Sequence, residues 1–130
     1  MTRSPEHVAR LHFEIPGPIV PYVRVGQERW TPRAQRYFAC KDNIGLAVAL
    51  QMRAMGWEPI PDKTPFVMRA RFSRRALWRG DVDNLAKTVL DSAQGIVFRD
   101  DVYCVRIHAE KERGPDWSWI EFEETEVVDG

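Results

Sequence analysis

The sequence predicts an α+β fold, a single domain in which a small mixed β-sheet packs with two main α-helices. Three observations carry that expectation. A length of 130 residues, 44% hydrophobic and 29% charged, suits one core and excludes collagenous and disordered classes. Two stretches, Pro32 to Met55 and Asn84 to Gln94, repeat apolar residues every three or four positions, the period of a helix. Shorter runs around them alternate apolar and polar residues, the period of a half-buried strand. No repeat, low-complexity tract or linker interrupts the chain, so residues 1–130 form one domain, with 1–9 an N-terminal extension and 124–130 an acidic tail.

Taken in order, Leu11, Phe13 and Ile15 alternate and predict a first strand, stopped by Pro16-Gly17-Pro18. The segment from there to Trp30 holds Pro21, Gly26, Arg24 and Arg29 and reads as an ordered basic loop. Thr31 is an N-cap and Pro32 suits the first helical position, opening a helix that Gly56 ends. Its stripe of Ala34, Tyr37, Phe38, Ile44, Val48, Met52 and Met55 is assigned to the core. Phe66 to Ser73 alternates as a strand, with Phe66, Met68, Ala70 and Phe72 inward and Arg69 and Arg71 on the other face. Five arginines between positions 69 and 79, with no carboxylate among them, suggest a phosphate-binding surface. In the second helix Leu85, Val89, Leu90 and Ala93 face the core, and Gly95 is the expected C-terminal cap. Ile96-Val97-Phe98 reads as a short strand, and Val102 to Lys111 as another with Tyr103, Val105, Ile107 and Ala109 inward. Gly114-Pro115-Asp116 turns the chain into a closing strand from Trp117 to Glu123. Trp78, Trp117, Trp119, Met68 and Phe72 are expected mainly in the core, with an interface or base stacking as their other use.

The net charge of zero conceals two opposed halves. Residues 1–80 carry 14 Lys/Arg against 6 Asp/Glu, and residues 81–130 carry 5 against 13. Such asymmetry suits a polyanion-binding part joined to a part with different work; the other reading is that the halves pair with each other. Cys40 and Cys104 show no CxxC spacing, which argues against a disulfide framework or a zinc site and for a reducing cytoplasm. No apolar leader or membrane-length stretch is expected, so no membrane partner is either.

The chemistry concentrates in Arg79-Gly-Asp81-Val-Asp83-Asn84-Leu-Ala-Lys87-Thr-Val-Leu-Asp91, followed by Asp100-Asp101. Asp81 and Asp83, two apart in a segment read as extended, would point the same way. Asp83, Lys87 and Asp91 step by four along a helix and share one face, which by itself could be an exposed ion-pair ladder. With Asp100 and Asp101 at the mouth of a neighbouring strand, converging carboxylates would need a cation, and hard oxygen donors select magnesium or manganese. An EF-hand is excluded because Leu85 and Ala86 stand where an oxygen ligand and a glycine are required. His7, His12 and His108 have no zinc-ligand spacing. A divalent metal beside an arginine-rich strand suggests phosphoryl chemistry, in which Lys87 would orient the nucleophile or offset developing charge. No Gly-rich loop ending in Lys-Ser/Thr is present to support ATP hydrolysis.

The run Asp81-x-Asp83-Asn84-x-x-Lys87-x-x-x-Asp91, then Asp100-Asp101, then a β-branched strand to Lys111, resembles the RusA family of Holliday-junction resolvases. Ile15-Pro-Gly-Pro18, the arginine-bearing loop and the Thr-Pro helix start fit as well, so the resemblance covers about Leu11 to Lys111. It implies a small α+β homodimer that binds four-way DNA junctions and makes paired nicks with Mg2+, for which Mn2+ would substitute. It further implies that Asp81, Asp83 and Asp101 are the essential metal carboxylates, that Asp100 supports or shares the metal, and that Lys87 is the catalytic lysine. Asn84 would brace the site and Asp91 would be a supporting acid. Arg24, Arg69, Arg71, Arg79 and Lys111 are the candidate DNA-backbone contacts, chosen mainly by charge. A bacterial or phage source and a place at the nucleoid in the cytoplasm follow from the same resemblance. Two other functions fit these residues: a structure-selective nuclease for flaps or forks, and a junction-binding module that cuts nothing.

Overall fold

Local sequence signals place most elements of the computed structural model, which describes residues 9–23 and 30–126. In chain order these are β1 (Arg10–Pro16), α1 (Pro32–Met55), β2 (Phe66–Arg74), α2 (Val82–Ala93), a single 3-10 turn (Asp101–Tyr103), β3 (Cys104–Arg113) and β4 (Trp117–Glu124). The four strands form one mixed sheet in the order β1-β4-β2-β3. β4 runs antiparallel to both β1 and β2, whereas β2 and β3 are parallel. Parallel neighbours need a crossover, and α2 supplies it, so its two ends lie over opposite ends of β3.

One sheet face is apolar: Leu11, Phe13 and Ile15 from β1, Phe66, Met68, Ala70 and Phe72 from β2, and Ile120 and Phe122 from β4 join residues of both helices in a single core. The other face carries Arg69, Arg71, Glu121 and Glu123 beside Val67 and Trp119. This is the predicted α+β domain with its mixed sheet and two helices.

The first helix keeps its predicted bounds for the predicted reasons. Thr31 Oγ1 accepts from the Ala34 N–H at 3.1 Å, and Gly56 takes the left-handed conformation at φ 67°. Its buried stripe differs in detail. Met55, on the last turn, is 60% exposed and Phe38 is half-buried, while Cys40 and Gly45 lie inside. Gly45 is buried because α2 crosses there; an added Cβ would sit 3.4 Å from Ile96 Cδ1 and 3.6 Å from the Ser92 carbonyl.

Four expectations need correction. Val105 and Ile107 are 48% and 47% exposed, and Tyr103 and Ala109 only half-buried, because β3 is an edge strand and a bulge opposite Phe66/Val67 inserts Val105. Residues 96 and 97 lie in a turn and Phe98 makes a single bridge to Gln94, yet Val97 and Phe98 are buried and Phe98 stacks on Phe66 at 4.6 Å. Gln94 in extended conformation, not Gly95, ends α2; Gly95 sits in the following turn at φ 86°. Met68 and Phe72 are fully buried, but Trp78 is 81% exposed and Trp117 and Trp119 are partly so. Among the described residues no helix is long and apolar enough to cross a membrane.

Candidate active site

Asp81 is the N-cap of α2, with φ −73° and ψ 147°, but its carboxylate makes no capping bond and meets no donor among the described residues. Asp83 lies in the first turn of the helix and accepts only from the Asn84 N–H at 3.0 Å. The two acids are therefore neighbours at a helix start, not on one face of an extended segment as their spacing suggested. Both are exposed.

The mount beneath them is rigid. Gly80 adopts φ 86°, and a Cβ there would collide with the ring of Pro21, so the proline loop can seat only on glycine. The Tyr22 N–H donates to the Asn84 carbonyl at 3.1 Å, and Thr88 Oγ1 donates to the Val20 carbonyl at 2.7 Å. The Asn84 carbonyl also accepts from Thr88 Oγ1 at 3.1 Å. Arg74 is buried and bridges the loop to the turn before α2: Nη1 donates to the Ile19 carbonyl at 2.8 Å and Nη2 to the Arg79 carbonyl at 3.0 Å. Burial holds its guanidinium below the usual arginine value. One of the five arginines is thus a structural clamp and not a phosphate contact.

Lys87, one turn beyond Asp83, points over an aromatic ring. Its Nζ lies 4.8 Å from the centroid of Tyr22, which meets Tyr37 edge-on at 5.7 Å and 88°. The Tyr37 hydroxyl donates to Asp91 Oδ2 at 2.7 Å. Burial first, and the adjacent Asp91 second, push the Tyr37 hydroxyl well above its ordinary range, so it remains a donor. No ion pair joins Asp83, Lys87 and Asp91. Cation–π contact and a tyrosine hydroxyl replace the ladder that their spacing allowed. The sequence held a signal for the second of these: a tyrosine in a core stripe needs an acceptor for its hydroxyl.

Asp100 and Asp101 lie at the other end of α2. Asp100 Oδ1 accepts from the Val102 N–H at 3.0 Å, and the Asp101 N–H donates to Gln94 Oε1 at 3.1 Å, next to the C-terminus of the helix. At about 1.5 Å per residue, Asp83 and Gln94 are roughly 16 Å apart along the axis. Convergence of Asp100 and Asp101 with Asp81 and Asp83 does not occur within one chain. Among the described residues no group of three or more His, Cys, Asp or Glu is placed to hold a metal. The oxygen donors at the α2 start suit Mg2+ in kind, but two carboxylates are too few to close a three-acid site in a single chain.

The basic candidates divide. On the open sheet face Arg69 Nη1 pairs with Glu121 at 3.4 Å and Glu123 at 3.2 Å, and Arg71 Nε pairs with Glu110 at 2.9 Å. Arg10 adds contacts to Glu123 at 3.0 Å and Glu121 at 3.3 Å. The basic and acidic halves of the sequence meet here, so Arg69 and Arg71 are neutralised within the chain instead of forming a bare phosphate surface. Arg24 lies outside the described residues. Arg79 is exposed and makes no ion pair among the described residues. Lys111 Nζ donates to the Gly80 carbonyl at 3.1 Å and lies 5.5 Å from the ring of exposed Trp78. Trp78, Arg79 and Lys111 thus gather beside Asp81, an aromatic and cationic border that strand periodicity could not reveal.

The arrangement offers two exposed carboxylates, of which only Asp83 accepts a bond, from the Asn84 N–H, an ammonium fixed one helical turn away, and a flanking indole with two cations. These groups suit a metal-assisted attack on a polyanion. A family model described as Endodeoxyribonuclease RusA matches residues 21–121. The matched span runs from the loop that seats on α2 into β4 and takes in every group of this site. No protein of curated function matches the chain.

Proposed function

The chain belongs to the RusA endodeoxyribonuclease family, and from that premise we propose that it is a homodimeric, Mg2+-dependent endonuclease that resolves four-way DNA junctions by paired nicks. Asp81, which meets no donor among the described residues, and Asp83, which accepts only from the Asn84 N–H, at the head of a rigidly mounted helix with Lys87 one turn on, are the observation that carries this reading. A divalent ion bound there would polarise a phosphodiester oxygen and lower the pKa of water, with Mn2+ able to substitute for Mg2+. The chain's own groups have separable roles. Lys87 offsets charge that develops on the phosphate. Arg79 and Lys111 hold the DNA backbone near the acids, and Trp78 offers a stacking face for an unpaired base.

Asp101, with Asp100 in support, completes the acidic set from a second copy, because the length of α2 separates it from Asp81 and Asp83 of its own chain. Symmetry gives the same economy twice: a two-fold dimer has two composite sites, and resolving a junction takes two opposed cuts.

The test is incubation of purified protein with a synthetic four-way junction, a flap and a linear duplex, with Mg2+ or with chelator, alongside Asp83→Asn. Paired, Mg2+-dependent cleavage of the junction is expected, with Asp83→Asn binding it uncut. Cleavage of flaps but not junctions would assign a different substrate, and no cleavage of any substrate would remove the nuclease reading.

A further inference from the structure

Lys87 follows Asp83 and precedes Asp91 by one helical turn each, so either carboxylate could hold its ammonium in an ion pair along α2. Among the described residues neither pair forms. Each would disarm the site. A bond to Asp83 occupies a carboxylate that the metal needs, and a bond to Asp91 draws the ammonium away from the head of the helix.

The fold takes Asp91 out of competition and supplies a different seat. Tyr37, buried on α1, donates its hydroxyl to Asp91 Oδ2 at 2.7 Å. Burial first, and Asp91 second, keep that hydroxyl protonated, so the bond has one direction. The ring of Tyr22 meets Tyr37 edge-on at 5.7 Å and presents its face to Lys87 Nζ at 4.8 Å. The Tyr22 main chain is tied to the turn that carries the acids, its N–H donating to the Asn84 carbonyl at 3.1 Å. A helical side chain leans towards the N-terminus of its helix, so Lys87 extends over the turn of Asp83. Lysine is a compact charge on a flexible stem. An aromatic face fixes such a charge without cancelling it, which a carboxylate cannot do.

We propose that Tyr22 is the positioning residue of Lys87, and that Asp91 serves the same lysine indirectly, as the acceptor that fixes Tyr37 behind the Tyr22 ring. The consequence rests on the nuclease reading above: the ammonium stands beside Asp83 and stays available to a phosphate oxygen. Asp91 then works through its oxygen as a hydrogen-bond acceptor, not through its charge, in contrast to Asp83.

The experiment is single-turnover cleavage of a four-way junction with Mg2+ at saturating protein, with gel-shift binding alongside. Tyr22→Leu should slow cleavage by about tenfold with binding unchanged. Tyr22→Phe restores the ring and should return the rate to within about twofold of wild type. Tyr22→Leu combined with Lys87→Ala should be no slower than Lys87→Ala, because the ring acts through the lysine alone. Asp91→Leu should cost about threefold, and Asp91→Asn, whose side-chain carbonyl still accepts from Tyr37, should recover it. A second reading needs no DNA. The ε-methylene protons of Lys87, assigned by comparison with Lys87→Ala, should be shifted upfield by the ring in wild type and Tyr22→Phe, and unshifted in Tyr22→Leu. Wild-type cleavage by Tyr22→Leu, a double variant in which the two losses multiply, or unshifted lysine protons in wild type would overturn the positioning role. Asp91→Asn as slow as Asp91→Leu would overturn the role given to Asp91. A wild type that shows the shift and cuts no substrate keeps the lysine's seat and removes the nuclease.

Discussion

At its first turn α2 carries Asp81 and Asp83 on a mount built from the whole fold: the proline loop, buried Arg74, Gly80 and the Tyr22–Tyr37 pair all converge there. Beyond its last turn Asp100 and Asp101 are held by short-range bonds, to Val102, Tyr103, Cys104 and Gln94. The first end has acids that meet at most one backbone N–H, beside a fixed lysine. The second has acids with no cation of their own. The contrast teaches that the helix, by its length, keeps the two acidic pairs apart within one chain; the proposed dimer is what would bring them together.

Substitutions at the two ends should break that comparison most severely where the chemistry is shared. Asp83→Asn and Asp101→Asn, although at opposite ends, should each lower the junction-cutting rate by about 10³-fold with binding retained, since each removes a charge expected to hold the metal. Single-turnover cleavage and gel-shift binding measure the two quantities separately. Lys87→Ala should cost about 10²-fold in the same assay, the usual scale for one group stabilising a transition state.

Stability should expose the different mounting. Gly80 and Gly95 share φ 86°, but a Cβ at Gly80 meets Pro21 while one at Gly95 meets nothing within 4 Å. Gly95→Ala should therefore cost only the left-handed backbone term, about 1 kcal/mol, and Gly80→Ala roughly twice that or more. Thermal melts should separate them by several degrees, with Gly80→Ala the lower. The smallest effect concerns the cations. Arg79→Ala should lower the slope of log K against log salt by about one, whereas Arg69→Ala, already paired with Glu121 and Glu123, should leave it nearly unchanged.

What was legible in the sequence follows the range of the forces involved. The first helix could be bounded from Thr31, Pro32 and Gly56 because capping is a matter of adjacent residues. The inward faces of β1 and β2 followed from alternation, but that of β4, where Ile120 and Phe122 and not the tryptophans face the core, and the exposure of Val105 and Ile107 did not, because being an edge strand is a property of sheet order. The arginine face of β2 was visible; its neutralisation depends on the register that sets Glu121 beside Arg69 and Glu110 beside Arg71. The separation of the acids was legible in principle. Asp83 and Asp100 are divided by most of a helix already assigned, and measuring that helix would have placed them apart. Tyr22 could not be matched to Lys87 without the loop fold.

The central claim, that each active site draws Asp81 and Asp83 from one chain and Asp101 from another, is tested most directly by mixing. Asp83→Asn and Asp101→Asn proteins, each inactive alone, are co-refolded and assayed on a four-way junction with Mg2+. A heterodimer of the two has one site with both defects and one site with none. The account predicts recovered nicking, confined to one strand per junction. Heterodimers that form, as shown by two affinity tags, and still cut nothing would contradict it.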